Sequence, residues 1–189
     1  MKTVITSLSC LFLLASADNA LGSEPFFVCT DYHCDKGAQV SLTAPQLNPV
    51  QELFQSVQNA DQERAAIRKA IAYLEQEVGH ITGTWRDLGK NYAGSGQPGQ
   101  LDCISESRNS TTYLHLLQQA GWLKHHEVQP RQRRGVWIID VHWTAVIKDN
   151  HSQQQYAVDS WYLDNGQPPY IQPLKQWLAK KPFENASEN

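Results

Sequence analysis

The longest stretch of regular hydrophobic spacing lies between Asp61 and Gly79. Its apolar residues recur at intervals of four, three and four positions: Ile67, Ile71, Leu74 and Val78. This period places them on one stripe of an α-helix, so the segment is predicted to be a packing helix with one buried side. Its charged residues, among them Glu63 and Glu75, are expected to form the solvated side.

Two shorter helices are also predicted. Asn48 suits the N-cap position and Pro49 the first helical position, so a helix to about Gln58 is expected. A short C-terminal helix is expected from Leu174 to Ala179. One of these helices thus lies near the start of the chain and the other near its end.

Residues that favour strands are concentrated in two segments, from Val136 to Ile147 and from Gln155 to Trp161. Both are predicted to be strands, with a turn from Asp149 to Ser152 between them. Joined by this turn, the two strands can pair as an antiparallel hairpin.

The predicted hairpin brings a histidine close to an acid. If the turn is symmetric about the bond between Asn150 and His151, His142 lies directly opposite Asp159 on one face. The Cβ atoms of such a pair are about 5 Å apart, close enough for a carboxylate to orient an imidazole. A loop of another length would shift this register.

A glycine-rich segment leads to a cysteine at the start of a further predicted helix. Asp102 is a suitable N-cap, Glu106 lies in the first turn, and Gly121 is the expected stop. Cys103 therefore occupies the first helical position. There the free backbone N–H groups and the helix dipole favour a thiolate over a thiol.

A nucleophilic cysteine needs a base, and the base needs a third group that fixes its tautomer. Cys103, His142 and Asp159 can supply these roles in that order. The alternative is a core cysteine beside a structural histidine. His125 and His126 are rival bases, which we expect to be exposed or structural.

The N-terminal residues 1–22 have the pattern of a secretory signal peptide. Lys2 precedes an apolar run from Val4 to Leu14, and small residues allow cleavage after Ala17 or Gly22. The run is too short for a spanning helix, and no later segment is long enough either. The sequence predicts an exported protein, periplasmic or secreted, with no transmembrane segment after signal removal.

Composition and charge limit the remaining possibilities. The chain has 189 residues, of which 41% are hydrophobic and 19% charged, so residues 23–189 are predicted to form a single domain. The formal net charge of −3 gives no general electrostatic argument for binding nucleic acid. The one basic cluster, Arg131 to Arg134, is expected in a loop, either as a solvated face or as a patch for anionic substrates or envelope components.

Removal of the signal peptide would leave three cysteines. Cys29 and Cys34 are close enough in sequence to form a disulfide in an oxidising compartment, which leaves Cys103 unpaired. A metal site at Cys29, His33 and Cys34 is the alternative, but no second pair of ligands with suitable spacing follows. The sequence therefore predicts no metal and no cofactor.

The segment from Gly79 to Gln100 contains six glycines and is predicted to be irregular. Long irregular segments inside compact domains are commonly functional, so this one is expected to form a wall of a cleft beside Cys103. The candidate residues of this cleft are polar or aromatic: Trp85, Asn91, Tyr92, Trp143 and Trp161. Trp85 could equally belong to the core.

Several short motifs together resemble the transglutaminase-like branch of the papain-like superfamily of cysteine enzymes, in particular a group of uncharacterised exported bacterial proteins. The residues that carry the resemblance are Leu101–Ser107, Asn109–Leu114, His142–Val146, Val158–Tyr162 and Asp164–Gly166. The resemblance spans roughly residues 60 to 180. Ile104 departs from it, since papain and several relatives have an aromatic residue after the nucleophile.

The resemblance implies an α+β fold with a papain-like, transglutaminase-like core, in which a helix with the nucleophile packs on an antiparallel sheet, with additional N-terminal helices. It implies that Cys103 forms a thioester with an amide substrate and that His142 transfers the proton. Papain-like proteases use a glutamine six residues before the nucleophile as an oxyanion donor, and Gln97 has this spacing. Gln100 and Asn91 are rivals for that role.

Two functions follow as hypotheses. The first is an exported cysteine hydrolase or acyltransferase that acts on peptide or protein amides, including those of the cell envelope. The second is a non-catalytic module that binds a peptide or a glycan in the same cleft.

Overall fold

The computed structural model describes residues 22–136 and 139–183, so the predicted signal peptide lies outside the described residues except for Gly22. The described part is a mixed α+β structure with four α-helices and two antiparallel sheets. In chain order, its elements are β1 (Phe26–Cys29), β2 (Gly37–Val40), α1 (Ala44–Gln55), α2 (Ala60–Thr82), α3 (Cys103–Gln119), β3 (His126–Val136), β4 (Ile139–Asp149), β5 (Gln155–Asp159), β6 (Tyr170–Pro173) and α4 (Leu174–Leu178). None of the described helices has the length and apolar character needed to cross a membrane.

The predicted packing helix is present as α2. Its N-cap is Asn59, whose side chain accepts the N–H of Gln62, and it ends at Gly83 in the left-handed conformation. The apolar stripe is buried, as predicted. The expectation that Glu63 and Glu75 are solvated is wrong, because both side chains are buried beside polar partners that only the folded chain provides.

Helix α1 begins earlier than predicted. Its N-cap is Thr43, whose backbone N–H donates to the side chain of Gln46 at 2.9 Å. Pro49 therefore lies inside the helix rather than at its first position. The capping box of Thr43 and Gln46, and not Asn48, therefore determines where α1 begins. The predicted C-terminal helix is confirmed as α4.

The larger sheet has the strand order β3-β4-β5-β6, and every neighbouring pair is antiparallel. The main core lies between one face of this sheet and helices α2 and α3. It includes Ile67, Ile71, Leu74, Leu114, Leu117, Ala145, Ile147 and Val158. Helix α4 covers the other face, where Trp177 packs with Val146 and Ala157.

The first strand of this sheet was not predicted. The arginines at 131–134 lie in β3 and not in a loop. The strand is irregular around Pro130, where the register shifts between Gln129 and Gln132, because proline cannot donate to a neighbouring strand. Val136, the predicted start of the next strand, instead ends β3 and pairs with Ile139; residues 137–138 lie outside the described part.

The register between β4 and β5 also differs from the prediction. Ala145 pairs with Val158 and Lys148 with Gln155, so the turn is centred one residue later than expected. Asp149 causes this shift, because its side chain accepts the N–H groups of His151 at 2.8 Å and Ser152 at 3.0 Å. His142 and Asp159 are consequently diagonal neighbours on one face, not directly opposite residues.

Candidate active site

The cysteine that the sequence singled out begins helix α3, as predicted. The N-cap is Asp102, whose Oδ1 accepts the backbone N–H of Ser105 at 2.9 Å. Cys103 is half-buried and is the free cysteine of the described part. Its Sγ lies 4.0 Å from the carbonyl oxygen of Val141, so the start of α3 meets β4 at the residue before His142.

His142 on β4 and Asp159 at the end of β5 form a buried pair. The distance between His142 Nε2 and Asp159 Oδ2 is 2.7 Å, and the two side chains are 6% and 1% exposed. Trp177 Nε1 donates to the same carboxylate oxygen at 2.7 Å. The carboxylate is thus fixed from two sides, and Trp177 is a contributor that the sequence did not reveal.

Two opposing effects act on the pKa of His142. Burial lowers it, but hydrogen bonds to Asp159 and to Cys103 outweigh burial and raise the pKa to about 9. The ring is therefore protonated at neutral pH. Because Nε2 faces Asp159, Nδ1 is the ring nitrogen left to face Cys103.

Aromatic rings enclose the imidazole of His142. The centroid distances are 4.9 Å to Trp161, 5.2 Å to Tyr162 and 5.6 Å to Trp177. These rings restrict rotation of His142 and keep water away from its bond to Asp159. The orientation of the histidine is therefore set by packing as well as by the carboxylate.

A cavity of about 490 Å³ opens in front of Cys103 and His142. Of the predicted cleft residues, Asn91, Tyr92 and Trp161 line it. Trp85 and Trp143 are not among its lining residues. Trp85 is 52% exposed beneath the guanidinium of Arg86, whereas Trp143 points away because it is adjacent to His142 in a strand.

The predicted oxyanion donor Gln97 is not brought to this cavity. Its side chain is exposed, and its Nε2 donates to the carbonyl of Ala93 at 3.4 Å. Gln100 is buried and donates its amide to the carbonyl of Arg86. Asn91 lines the cavity, but its Nδ2 donates to Gln100. The six-residue spacing between Gln97 and Cys103 does not place the glutamine side chain in the cavity, because the chain between them is irregular.

The predicted disulfide between Cys29 and Cys34 is present. It closes a loop that is held on helix α3: Cys34 N donates to Ser105 Oγ at 2.9 Å, and Cys29 N donates to Asn109 Oδ1 at 2.7 Å. Because both sulfurs are in the disulfide, neither is a thiolate ligand for a metal.

The disulfide loop contributes two residues to the cavity that the sequence reading did not assign to it. Tyr32 and His33 lie between the bridged cysteines and line the cavity. His33 Nδ1 is 2.8 Å from the second carboxylate oxygen of Asp102. The loop is therefore fixed to Asp102, the residue before Cys103. The sequence does contain one signal for Tyr32 and His33: both residues lie inside the loop that the Cys29–Cys34 disulfide closes.

Three buried acids lie close to one another, and one of them, Glu106, belongs to α3. Burial raises the pKa of Glu75 to about 7 and of Asp87 to about 6, and burial next to these two acids raises the pKa of Glu106 well above its usual value. Glu75 accepts the N–H of Gly166 at 3.0 Å, and Asp87 accepts that of Leu101 at 2.7 Å. Glu75 thus connects α2 to the loop at Gly166, and Asp87 connects the two ends of the segment that leads to Cys103.

The rival base His126 has a different setting. It is buried, and its Nδ1 lies 3.0 Å from Glu63 Oε1. Neither His126 nor His125 is among the residues that line the cavity. His126 is therefore structural, which is one of the two roles expected for it.

The site thus joins a thiol, a protonated imidazole and an oriented carboxylate beside an open cavity. Such a set can deliver a sulfur nucleophile to a carbonyl carbon and a proton to the leaving group. Comparisons of the chain with models of known protein families, with curated proteins and with solved structures find no match.

Proposed function

We propose that this protein is an exported cysteine hydrolase or acyltransferase that acts on peptide-like amides. The observation that carries the proposal is the placement of His142 between Asp159 and Cys103, with Cys103 at the first position of α3. A helix that begins with the nucleophile and packs on an antiparallel sheet supports a papain-like, transglutaminase-like core. The disulfide and the signal-like N-terminus support export.

The reaction proceeds through a thioester. The thiolate of Cys103 attacks the amide carbon, forming a C–S bond while the carbonyl π electrons move to oxygen. The tetrahedral intermediate collapses, the C–N bond breaks, and His142 gives its proton to the leaving amine. Water, in a hydrolase, or an amine, in a transferase, then attacks the thioester. His142 takes the proton of that nucleophile, the C–S bond breaks, and the Cys103 thiolate leaves beside a protonated His142, which restores the starting state.

Trapping of the thioester tests this proposal. The protein without its signal peptide is incubated with a mixed pool of synthetic peptides, quenched in acid, digested and analysed by mass spectrometry. We expect an acyl adduct on Cys103, sensitive to hydroxylamine, and release of amine products. Cys103→Ala should lose both, whereas Arg108→Gln, on the exposed side of α3, should retain both. Equal product release by the wild type and Cys103→Ala would refute the proposal.

A binding module is the second candidate. It is favoured by Tyr92, which is 80% exposed while it lines the cavity and packs 4.8 Å from Trp161. Such rings can stack on a peptide or a sugar without any reaction. If Cys103→Ala keeps the full function of the protein in cells, binding and not catalysis is its role.

A further inference from the structure

A cationic side chain lies next to the candidate base on the same wall of the cavity. Arg134 of β3 is the residue that pairs with His142 of β4 in the sheet, and both line the cavity. Paired residues of an antiparallel sheet point to the same face. The guanidinium is therefore presented towards the space that a substrate of Cys103 would fill.

The position of this guanidinium is fixed by neutral groups. Arg134 Nη1 donates to the carbonyl oxygen of Trp177 at 2.6 Å, and Nη2 donates to the hydroxyl of Tyr162. Its central carbon lies 4.4 Å from the ring centroid of Trp177. Arginine has further N–H donors beyond these two bonds, in a planar fork that matches a carboxylate.

The carboxylates that share the cavity are already paired with other groups. Asp102 binds His33 and caps α3, and Asp140 binds Lys180. Within the described part of the chain, Arg134 forms no ion pair with a carboxylate. The salt bridge to Lys180 lowers the pKa of Asp140, and Arg134 lies near enough to help lower it. A half-buried guanidinium without a directly paired carboxylate is suited to an anionic ligand.

We propose that Arg134 recognises a carboxylate of the substrate, so that the preferred substrates are peptides with a free carboxylate close to the reacting amide. This inference rests on the proposed function, since it assumes that the reacting carbonyl sits at Cys103. The carboxylate can belong to a C-terminus or to an acidic side chain. Either source presents the same two oxygens to the guanidinium.

Two alkylating reagents test the charge of this subsite without any knowledge of the substrate. Iodoacetate is an anion and iodoacetamide is its neutral counterpart, and both alkylate thiols. We expect Arg134→Gln to lower the ratio of the iodoacetate rate to the iodoacetamide rate at Cys103 by about tenfold. Arg134→Lys should restore part of the ratio. Arg108→Gln removes the same charge outside the cavity and should leave the ratio unchanged.

The ratio of the iodoacetate rate to the iodoacetamide rate shows whether Arg134 binds an anion or only keeps neighbouring side chains in place. If Arg134 only positions Trp177 and Tyr162, its removal changes both rates alike, the ratio stays constant, and the inference is overturned. A reactive Cys103 with an unchanged ratio rejects the subsite alone. A Cys103 that reacts with both reagents no faster than it does in the unfolded chain rejects the proposed function, and the subsite with it.

The source of the carboxylate is tested by acyl trapping with three matched peptide pools. One pool has free C-termini, one has amidated C-termini, and one has amidated C-termini with an internal glutamate. We expect more adduct from a carboxylate-bearing pool than from the neutral pool, and a smaller difference in Arg134→Gln. A preference for the first pool identifies a C-terminal carboxylate, and a preference for the third identifies a side chain. Equal adduct from all three pools contradicts the inference.

Discussion

Two buried histidine–carboxylate pairs lie in the described part of the chain, and they differ in what surrounds them. His142 is 2.7 Å from Asp159, and His126 is 3.0 Å from Glu63. All four side chains are buried. By distance and burial alone, either pair could be the base and orienter of a catalytic site.

The partners of the two pairs distinguish them. Glu63 accepts three backbone N–H groups, from residues 124–126, and the other ring nitrogen of His126 lies 3.1 Å from Arg64. Both carboxylate oxygens of Glu63 and both ring nitrogens of His126 thus have protein partners, and these contacts attach the start of β3 to α2. Asp159 instead binds one indole, and His142 has a nitrogen left for Cys103 beside a cavity.

The pKa shifts of Glu63 and His142 have opposite directions. Burial raises the pKa of Glu63, but hydrogen bonds from His126 and the backbone outweigh it and hold the pKa below its usual value. The pKa of His142 is raised to about 9. A histidine–acid pair is thus not a catalytic signal by itself; access and a third reacting group make it one.

The largest effect that separates the pairs is on thiol reactivity. His142→Gln should slow alkylation of Cys103 by iodoacetamide at pH 7 by about 100-fold or more, because the imidazole that exchanges a proton with the sulfur is lost. His126→Gln should change this rate less than about twofold. Mass spectrometry of the Cys103 peptide over time gives both rates, and circular dichroism confirms folding. Similar losses in both variants would remove the distinction drawn between the pairs.

A smaller effect concerns stability, and the two pairs should depend on pH in opposite directions. His142 has a folded pKa above its usual 6.5, so its contribution is complete below pH 6.5 and is lost as the pH rises through about 9. Asp159→Asn should therefore cost about 2 kcal/mol near pH 6 and much less above pH 9.

Glu63 behaves in the opposite way because its folded pKa lies below 4.5. Its contribution is present above pH 4.5 and is lost as the pH falls through the folded pKa, so the cost of Glu63→Gln should shrink in acid. Urea unfolding of the wild type, Asp159→Asn and Glu63→Gln, from acid to above pH 9, measures how much each substitution lowers the free energy of unfolding at each pH. Parallel curves for the two variants would contradict the expected titration.

The smallest effect extends the comparison to an acid that has no histidine partner. Glu75 has a folded pKa of about 7, above its usual 4.5, so its contribution is present below pH 4.5 and is lost as the pH rises through 7. Glu75→Gln should raise the free energy of unfolding by about 1 kcal/mol at pH 8 and change it little at pH 4. Glu52→Gln, on the exposed surface of α1, is the matched control. Destabilisation by Glu75→Gln at pH 8 would show that the buried charge is compensated.

Much of the candidate site could be predicted because its signals are local. The N-cap and the first turn determine where α3 begins, so Cys103 was placed correctly from Asp102 onwards. The disulfide follows from a separation of five residues between Cys29 and Cys34. His142 and Asp159 were paired from the hairpin, and the pair survives the wrong register because a diagonal neighbour on the same face is still within reach.

Other parts of the site could not be predicted, because they depend on contacts between distant segments. Arg134 was assigned to a loop, and only its pairing with His142 in the sheet brings it to the cavity. Trp177 comes from the last helix, 18 residues after the carboxylate that it binds. The prediction that Gln97 is an oxyanion donor rested only on its spacing from Cys103. In an irregular loop that spacing does not determine where the side chain lies, and Gln97 binds the carbonyl of Ala93 instead.

The sequence by itself determined the type of fold, the main helices, the disulfide and the three residues that carry the proposed chemistry. Each of these depends on periodicity, capping or spacing over a few residues, which the chain encodes directly. Only the tertiary structure decided how His142 is oriented towards Asp159, which acids are buried and which arginine enters the cavity. Burial and electrostatic environment are properties of the assembled core, and they arise from residues that the sequence keeps far apart.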